Sequence, residues 1–194
     1  DHLVLNAGGM PSEYRENSYN VEYQTSSQLI GHLILFRLLK KSNKLKKGAK
    51  VIFVSSGGML LKKLDLKTLF QNKNYDKVDQ YANVKRAQII INHSYMKRFP
   101  DFHFSAMHPG WVGTKAVSEA LPSFYKFTKN RLRNNEQGAD TINWLLSTND
   151  LPSGKFWFDR QQAKTNPMSF TRPSVEEIEK LNSKVEDYIR KIIN

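Results

Sequence analysis

The chain has 194 residues, 39% of them hydrophobic and 25% charged, which suits one soluble domain with a real core and excludes a disordered segment. It has no cysteine, so disulfides, thiolate catalysis and cysteine-ligated zinc are excluded. The formal net charge is +12, yet the six lysines between positions 40 and 50 read as a helix end and a solvated turn. No aromatic residue interleaves with them, as a nucleic-acid platform would require.

Residues 2–5 read as a short buried strand ending at Asn6-Ala7-Gly8-Gly9. Residues 10–20 are polar and loop-like. Residues 21–40 read as a helix with apolar positions at Leu29, Leu33, Phe36 and Leu39. Gly31, His32 and Arg37 interrupt its apolar run, and no run in the chain reaches the 18 residues of a membrane span. Residues 50–54 form a β-branched strand closed by Ser55-Ser56-Gly57-Gly58. Residues 59–77 are a longer loop with one helical turn near 64–70.

Residues 78–98 form a helix carrying Tyr81 and Lys85, stopped by Pro100. Residues 102–107 alternate as a strand running into His108-Pro109-Gly110, where His108 shapes the turn. Residues 115–133 are basic and aromatic. Within 115–135, Phe124, Tyr125 and Phe127 form either a lid over an apolar substrate or the packing of a loop. Residues 135–147 are a helix, and 155–158 a last strand. Trp144 and Trp157 belong to the core. Residues 174–193 form a C-terminal helix opened by a Ser174–Glu177 capping box.

Strands alternating with helices predict a parallel α/β sheet covered on both faces. Ligands of such sheets bind outside the carboxyl ends of the strands. Asn6, Ser56 and Pro109 each follow directly after a predicted strand. Three strand ends therefore point to one rim. Tyr81 and Lys85, at i and i+4, share a helix face one turn apart. A lysine ammonium beside a phenol favours the phenolate and lowers its pKa from the reference of about 10. That would make Tyr81 a general acid/base near neutral pH. The five histidines lack ligand spacing, so no metal is expected.

A lone Y-x-x-x-K is weak and is usually a surface tyrosine with a solvated lysine. The ordered set is stronger: strand–NAG, helix, strand–VSSGG, YxxxK, strand–HPGWVGT. It resembles the short-chain dehydrogenase/reductase family over nearly the whole chain. Within that family, S-S-G-G-M-L at 55–60, Y-A-x-x-K-R at 81–86, M-H-P-G-W at 107–111, Q-G-A-D-T at 137–141 and P-S-G-K-F at 152–156 are most similar to the subgroup called member twelve. They are more loosely similar to the retinol-dehydrogenase-like members.

The resemblance implies a single Rossmann-type, doubly wound parallel sheet, of which the chain would hold the C-terminal strands and helices. It implies an NAD(P)-dependent oxidoreductase that interconverts a carbonyl and an alcohol, the hydride transfer being cofactor chemistry. Tyr81 would exchange the proton at the substrate oxygen. Lys85 would lower the Tyr81 pKa and bond the nicotinamide ribose. Ser56 would hold the substrate oxygen. Asn6, Ala7 and Gly8 would lie near the adenosine side of the cofactor. Pro109, Gly110, Val112 and Thr114 would meet the nicotinamide and pyrophosphate. At Gly8 and Gly110 the missing side chain would allow close cofactor approach. Trp111 would line the substrate entrance. A small apolar substrate and a homodimer through 21–40 and 78–98 are further expectations.

Two departures stand out. The family's middle-helix asparagine, three residues before a glycine, is Gln28 here, placed before Gly31; it would serve the proton relay with one methylene more. The family's T-G-x-x-x-G-x-G loop and first strands would precede residue 1, by about 60 or more residues at roughly 30 per βαβ unit. The choice of NADP or NAD would lie there. The chain alone is then expected to be unstable and inactive, with an open strand edge near residues 2–5. The alternative is a non-catalytic protein that keeps the fold as an interaction module. The compartment is open, with the cytoplasm favoured.

Overall fold

The computed structural model describes residues 1–193. At its centre is β2, Lys50–Val54, whose β-branched and aromatic residues are buried on both sides. It pairs in parallel with β1, Leu3–Leu5, and with β3, His103–Met107; β4, Lys155–Phe158, runs parallel to β3. The sheet order β1-β2-β3-β4-β5 leaves β1 paired on one side only. The fifth strand, Gln161–Gln162, turns back antiparallel on β4.

That last hairpin was not expected. Its two tip residues, Asp159 and Arg160, have φ of 48° and 61°. This is the backbone of a two-residue hairpin turn, which usually carries Asn-Gly. Asp-Arg gives no such signal.

Side-chain alternation splits the strands between two apolar clusters. Val51, Phe53, Phe104, Ala106 and Phe156 join a core built with α2 (Gly31–Lys41), α4 (Lys77–Arg98) and α8 (Val175–Ile193). Ile52, Val54, Met107 and Trp157 face α7 (Asn135–Ser147), where Trp144 meets Trp157 edge to face at 5.3 Å. Helices thus cover both faces of a mostly parallel sheet. The Lys50 ammonium closes the end of α7 by donating to the Leu146 and Thr148 carbonyls at 2.9 and 2.7 Å.

The helix expected over 21–40 exists in three contiguous pieces. α1, Tyr23–Thr25, is capped by the buried Glu22 carboxylate, which accepts from the Gln24 and Thr25 amides. A π turn, Ser26–Ile30, follows and runs into α2. The turn expected near 64–70 is α3, Leu66–Phe70. The 115–133 stretch divides into α5, Lys115–Ala120, and α6, Pro122–Thr128.

The α8 capping box forms as read, Ser174 and Glu177 bonding reciprocally at 2.7 and 3.1 Å. α8 lies across α2 and α4. Its Glu186 carboxylate holds Arg37 at 2.6 Å, Arg98 at 2.7 Å and the Tyr95 hydroxyl at 3.0 Å. Among the described residues no helix is long and apolar enough to cross a membrane.

Candidate active site

The parallel register brings the ends of β1, β2 and β3 to one rim, where a cavity of about 1060 Å³ opens. All the nominated site residues except Ala7 line it. The first turns of α4 deliver Tyr81 and Lys85, because the Asp76 side chain caps that helix through the Val78 and Asp79 amides at 2.9 and 2.7 Å. Ser56 follows β2 and accepts from the Gly58 amide at 3.2 Å, which starts a short 3-10 turn, Gly57–Leu61.

Electrostatics at this pair correct the expectation drawn from spacing. Burial pushes the Tyr81 phenol up to about 12, against the Ser56 hydroxyl, which pulls it down. Burial likewise pushes Lys85 down to about 7. Desolvation of both groups outweighs the charge–phenol attraction that the i, i+4 spacing suggests. The Lys85 ammonium donates to the Val54 carbonyl at 2.9 Å, so it ties α4 to the end of β2.

Gln28 sits in the π turn and is buried. Its side-chain amide donates to the Gly9 carbonyl at 2.7 Å, and its backbone carbonyl accepts from Gln88 at 2.7 Å. The residue is therefore engaged on the turn after β1 and on α4, and it lines the cavity with Tyr81 and Lys85. A Cβ at Gly8 would run into this amide. A Cβ at Gly110, where φ is 75°, would meet the Arg133 guanidinium, with Nε at 2.7 Å. At both glycines the direction a side chain would take is occupied by another side chain of the chain, while both residues line the cavity. Thr114 caps α5 by accepting from the Val117 amide at 3.2 Å.

His108 accepts from the Gly110 amide at 3.2 Å and stacks on Phe158 with centroids 4.0 Å apart, which fixes the turn as read. Trp111 is 62% exposed and meets Phe124 edge to face at 4.7 Å. Both line the cavity mouth; Tyr125 and Phe127 do not.

Sequence reasoning missed several groups. Met10, Tyr23, Val78 and Ile142 also line the cavity. His32 is buried, and neither ring nitrogen has a hydrogen-bond partner among the described residues. Burial, then the Lys85 charge, lowers its pKa to about 4, against the pull of the Ala7 carbonyl. Its i, i+4 spacing from Gln28 was the available signal.

No protein-family model matches the chain. The chain is 35% identical over 184 residues to human dehydrogenase/reductase SDR family member 12, covering 92% of this chain and 58% of that protein. It spans about three fifths of the length of the curated relatives it matches. Among solved structures, an uncharacterized protein from Mycobacterium paratuberculosis superposes with a TM-score of 0.71 at 21% identity, covering 98% of this chain and 67% of that one. A short-chain dehydrogenase/reductase (glucose/ribitol dehydrogenase) from Brucella melitensis superposes with a TM-score of 0.58 at 19% identity, covering 80% and 62%. These two structures share the fold.

Proposed function

This chain belongs to the short-chain dehydrogenase/reductase family, and we propose that it carries the catalytic half of an NAD(P)-dependent oxidoreductase that interconverts a carbonyl and an alcohol. The observation that carries the reading is the convergence of Ser56, Tyr81 and Lys85 in one cavity at the ends of three parallel strands. The donor set fits the ribose half of a nicotinamide dinucleotide. Lys85 is a buried cation bonded to one carbonyl, which leaves it N–H capacity for a ribose hydroxyl. Asn6, Gly8 and the 109–114 turn would line the rest. The residues do not distinguish NADP from NAD.

When bound, the nicotinamide supplies or accepts the hydride. The chain's own part is proton handling and orientation. In the reductive direction Tyr81 gives its hydroxyl proton to the substrate oxygen, and Ser56 bonds the same oxygen as charge develops on it. Tyr81 enters as the neutral phenol, the form needed for that step. Lys85 fixes the helix turn that carries Tyr81. Met10, Val78, Trp111, Leu121, Phe124 and Ile142 give the cavity an apolar wall, which supports a small apolar carbonyl or alcohol as substrate.

A homodimer belongs to the same reading. Because α8 covers α2 and α4, it would use the outer flank of α2, where Leu35 and Leu38 are exposed. Titration of the protein with NADH and NADPH by fluorescence, followed by turnover on a panel of apolar ketones and aldehydes, tests the reading. Failure to bind either dinucleotide would favour the interaction-module alternative.

A further inference from the structure

The turn at 109–114 is held from outside the cavity by a set of contacts that the proton chemistry does not use. The Arg133 backbone runs beside it: the Arg133 amide donates to the Trp111 carbonyl at 2.8 Å, and the Gly113 amide donates to the Arg133 carbonyl at 2.9 Å. The Arg133 guanidinium then folds under the turn. It donates to the Pro109 carbonyl at 3.3 Å and fills the space left by the missing side chain of Gly110. The same guanidinium lies over the Phe158 ring at 5.0 Å, on the ring that stacks on His108.

What orients this guanidinium is the tip of the unexpected hairpin. Asp159 binds it through both oxygens, Oδ2 to Nη2 at 2.7 Å. The neighbouring tip residue, Arg160, makes a second two-point ion pair, to Asp140 on α7, with Nε to Oδ2 at 2.8 Å. Both tip residues hold a left-handed backbone that costs a non-glycine residue energy. A turn built only to reverse the chain would carry Asn-Gly and avoid that cost.

We propose that the Asp159–Arg160 tip is a buckle that fastens the 109–114 turn through Arg133, and that Arg133 is thereby a positioning residue for binding the dinucleotide. The proposal rests on the oxidoreductase reading for the identity of the ligand, but the fastening itself does not. The bidentate, stacked geometry needs a guanidinium, so lysine is not an equivalent.

The decisive variants are Arg133→Met, Arg133→Lys and the double replacement Asp159→Asn with Arg160→Gly. The double variant gives the hairpin a relaxed Asn-Gly tip and removes both ion pairs. Amide hydrogen exchange at Gly110 and Gly113 is measured in the free protein, together with thermal stability and the Kd for NADPH and NADH. The buckle requires about tenfold faster exchange at both glycines in all three variants. It also requires dinucleotide affinity to fall about tenfold or more, with the double variant keeping or gaining thermal stability. Unchanged exchange at Gly110 and Gly113 overturns the buckle, whatever the cofactor result. Faster exchange with wild-type dinucleotide affinity overturns the positioning role. If the unaltered protein binds neither dinucleotide, the oxidoreductase reading and the positioning role fail, and the exchange data still decide the fastening.

Discussion

Lys85 stands one helical turn beyond Tyr81 with its ammonium 5.2 Å from the centre of the phenol ring, and it donates its hydrogen bond to the Val54 carbonyl. The cation therefore lies by the ring and bonds the strand end. Two consequences follow from burial of both groups. The phenol is held as the protonated acid, and the ammonium loses its proton far more readily than a surface lysine would. A proton donor and a nearby group that titrates close to neutrality are a workable pair for acid–base chemistry.

Replacing Tyr81 by Phe removes one oxygen and leaves the ring packed. Carbonyl reduction by the full-length protein should drop by about 10²–10⁴-fold in kcat/KM. The Kd for the dinucleotide should stay within about twofold, because the lost group acts on the substrate oxygen. Steady-state kinetics with fluorescence titration checks both. Undiminished turnover would remove Tyr81 from the mechanism.

Lys85 gives a stability signature with a definite sign. Its folded pKa, about 7, lies below the ordinary 10.5. Between those values the unfolded chain holds a proton that the folded chain lacks. Stability should therefore rise with pH across this window, by about 1.4 kcal/mol per unit for this one group, with the full penalty in place below pH 7. Lys85→Met should flatten that slope and be relatively more stable at low pH. Urea unfolding of both proteins from pH 6 to 10 measures the difference; parallel profiles would show that Lys85 is not desolvated.

Arg86, the next residue, is buried to 1% exposure. It donates to the Thr165 carbonyl at 2.5 Å and also to the Asn166 side chain and the Thr171 carbonyl. No carboxylate faces it among these partners. Arg86→Ala would strand three acceptors and leave a cavity. A loss of about 2–4 kcal/mol is expected, read as a fall of roughly 5–15 °C in Tm. Protease cutting within 163–172 should increase, since this guanidinium pins that loop to α4.

Glu186 links α8 to both helices beneath it. Glu186→Ala should cost about 1–3 kcal/mol, discounted because Arg37 and Arg98 are partly exposed at 21% and 47%. Denaturant unfolding measures it. Asn182, whose amide donates to the Ser94 hydroxyl at 3.0 Å, should hold α8 in register in the variant.

Most of the scaffold was legible because its signals are local. The 50–54 strand is a β-branched run, and the α8 stripe repeats at helical spacing behind its Ser174–Glu177 capping box. The rim of the cavity was legible because strand ends and turn residues coincide in the chain. What stayed hidden depends on burial or on partners far away in sequence. The opposing shifts of Tyr81 and Lys85 come from desolvation, which spacing does not report. The Asp159–Arg160 turn lacks glycine and is stabilised by residues 133 and 140. The bend of Gln28 onto Gly9 needed the π turn, which has no sequence signature of its own. His32 read as one histidine among five until its burial placed it near Lys85.

The π turn also bears on how this chain can vary in length. Its closing bond runs from the Gly31 amide to the Ser26 carbonyl, so it holds one residue more than an ordinary α turn. Loss of a single residue within 26–30 would let α1 and α2 merge into one uninterrupted helix. Leu33 and Phe36 would keep their places against the sheet. A one-residue deletion, ruinous in most helices because it rotates everything beyond it, is here absorbed by the helix itself. The casualty would be the grip of Gln28 on the turn after β1, and with it the shape of one wall of the cavity.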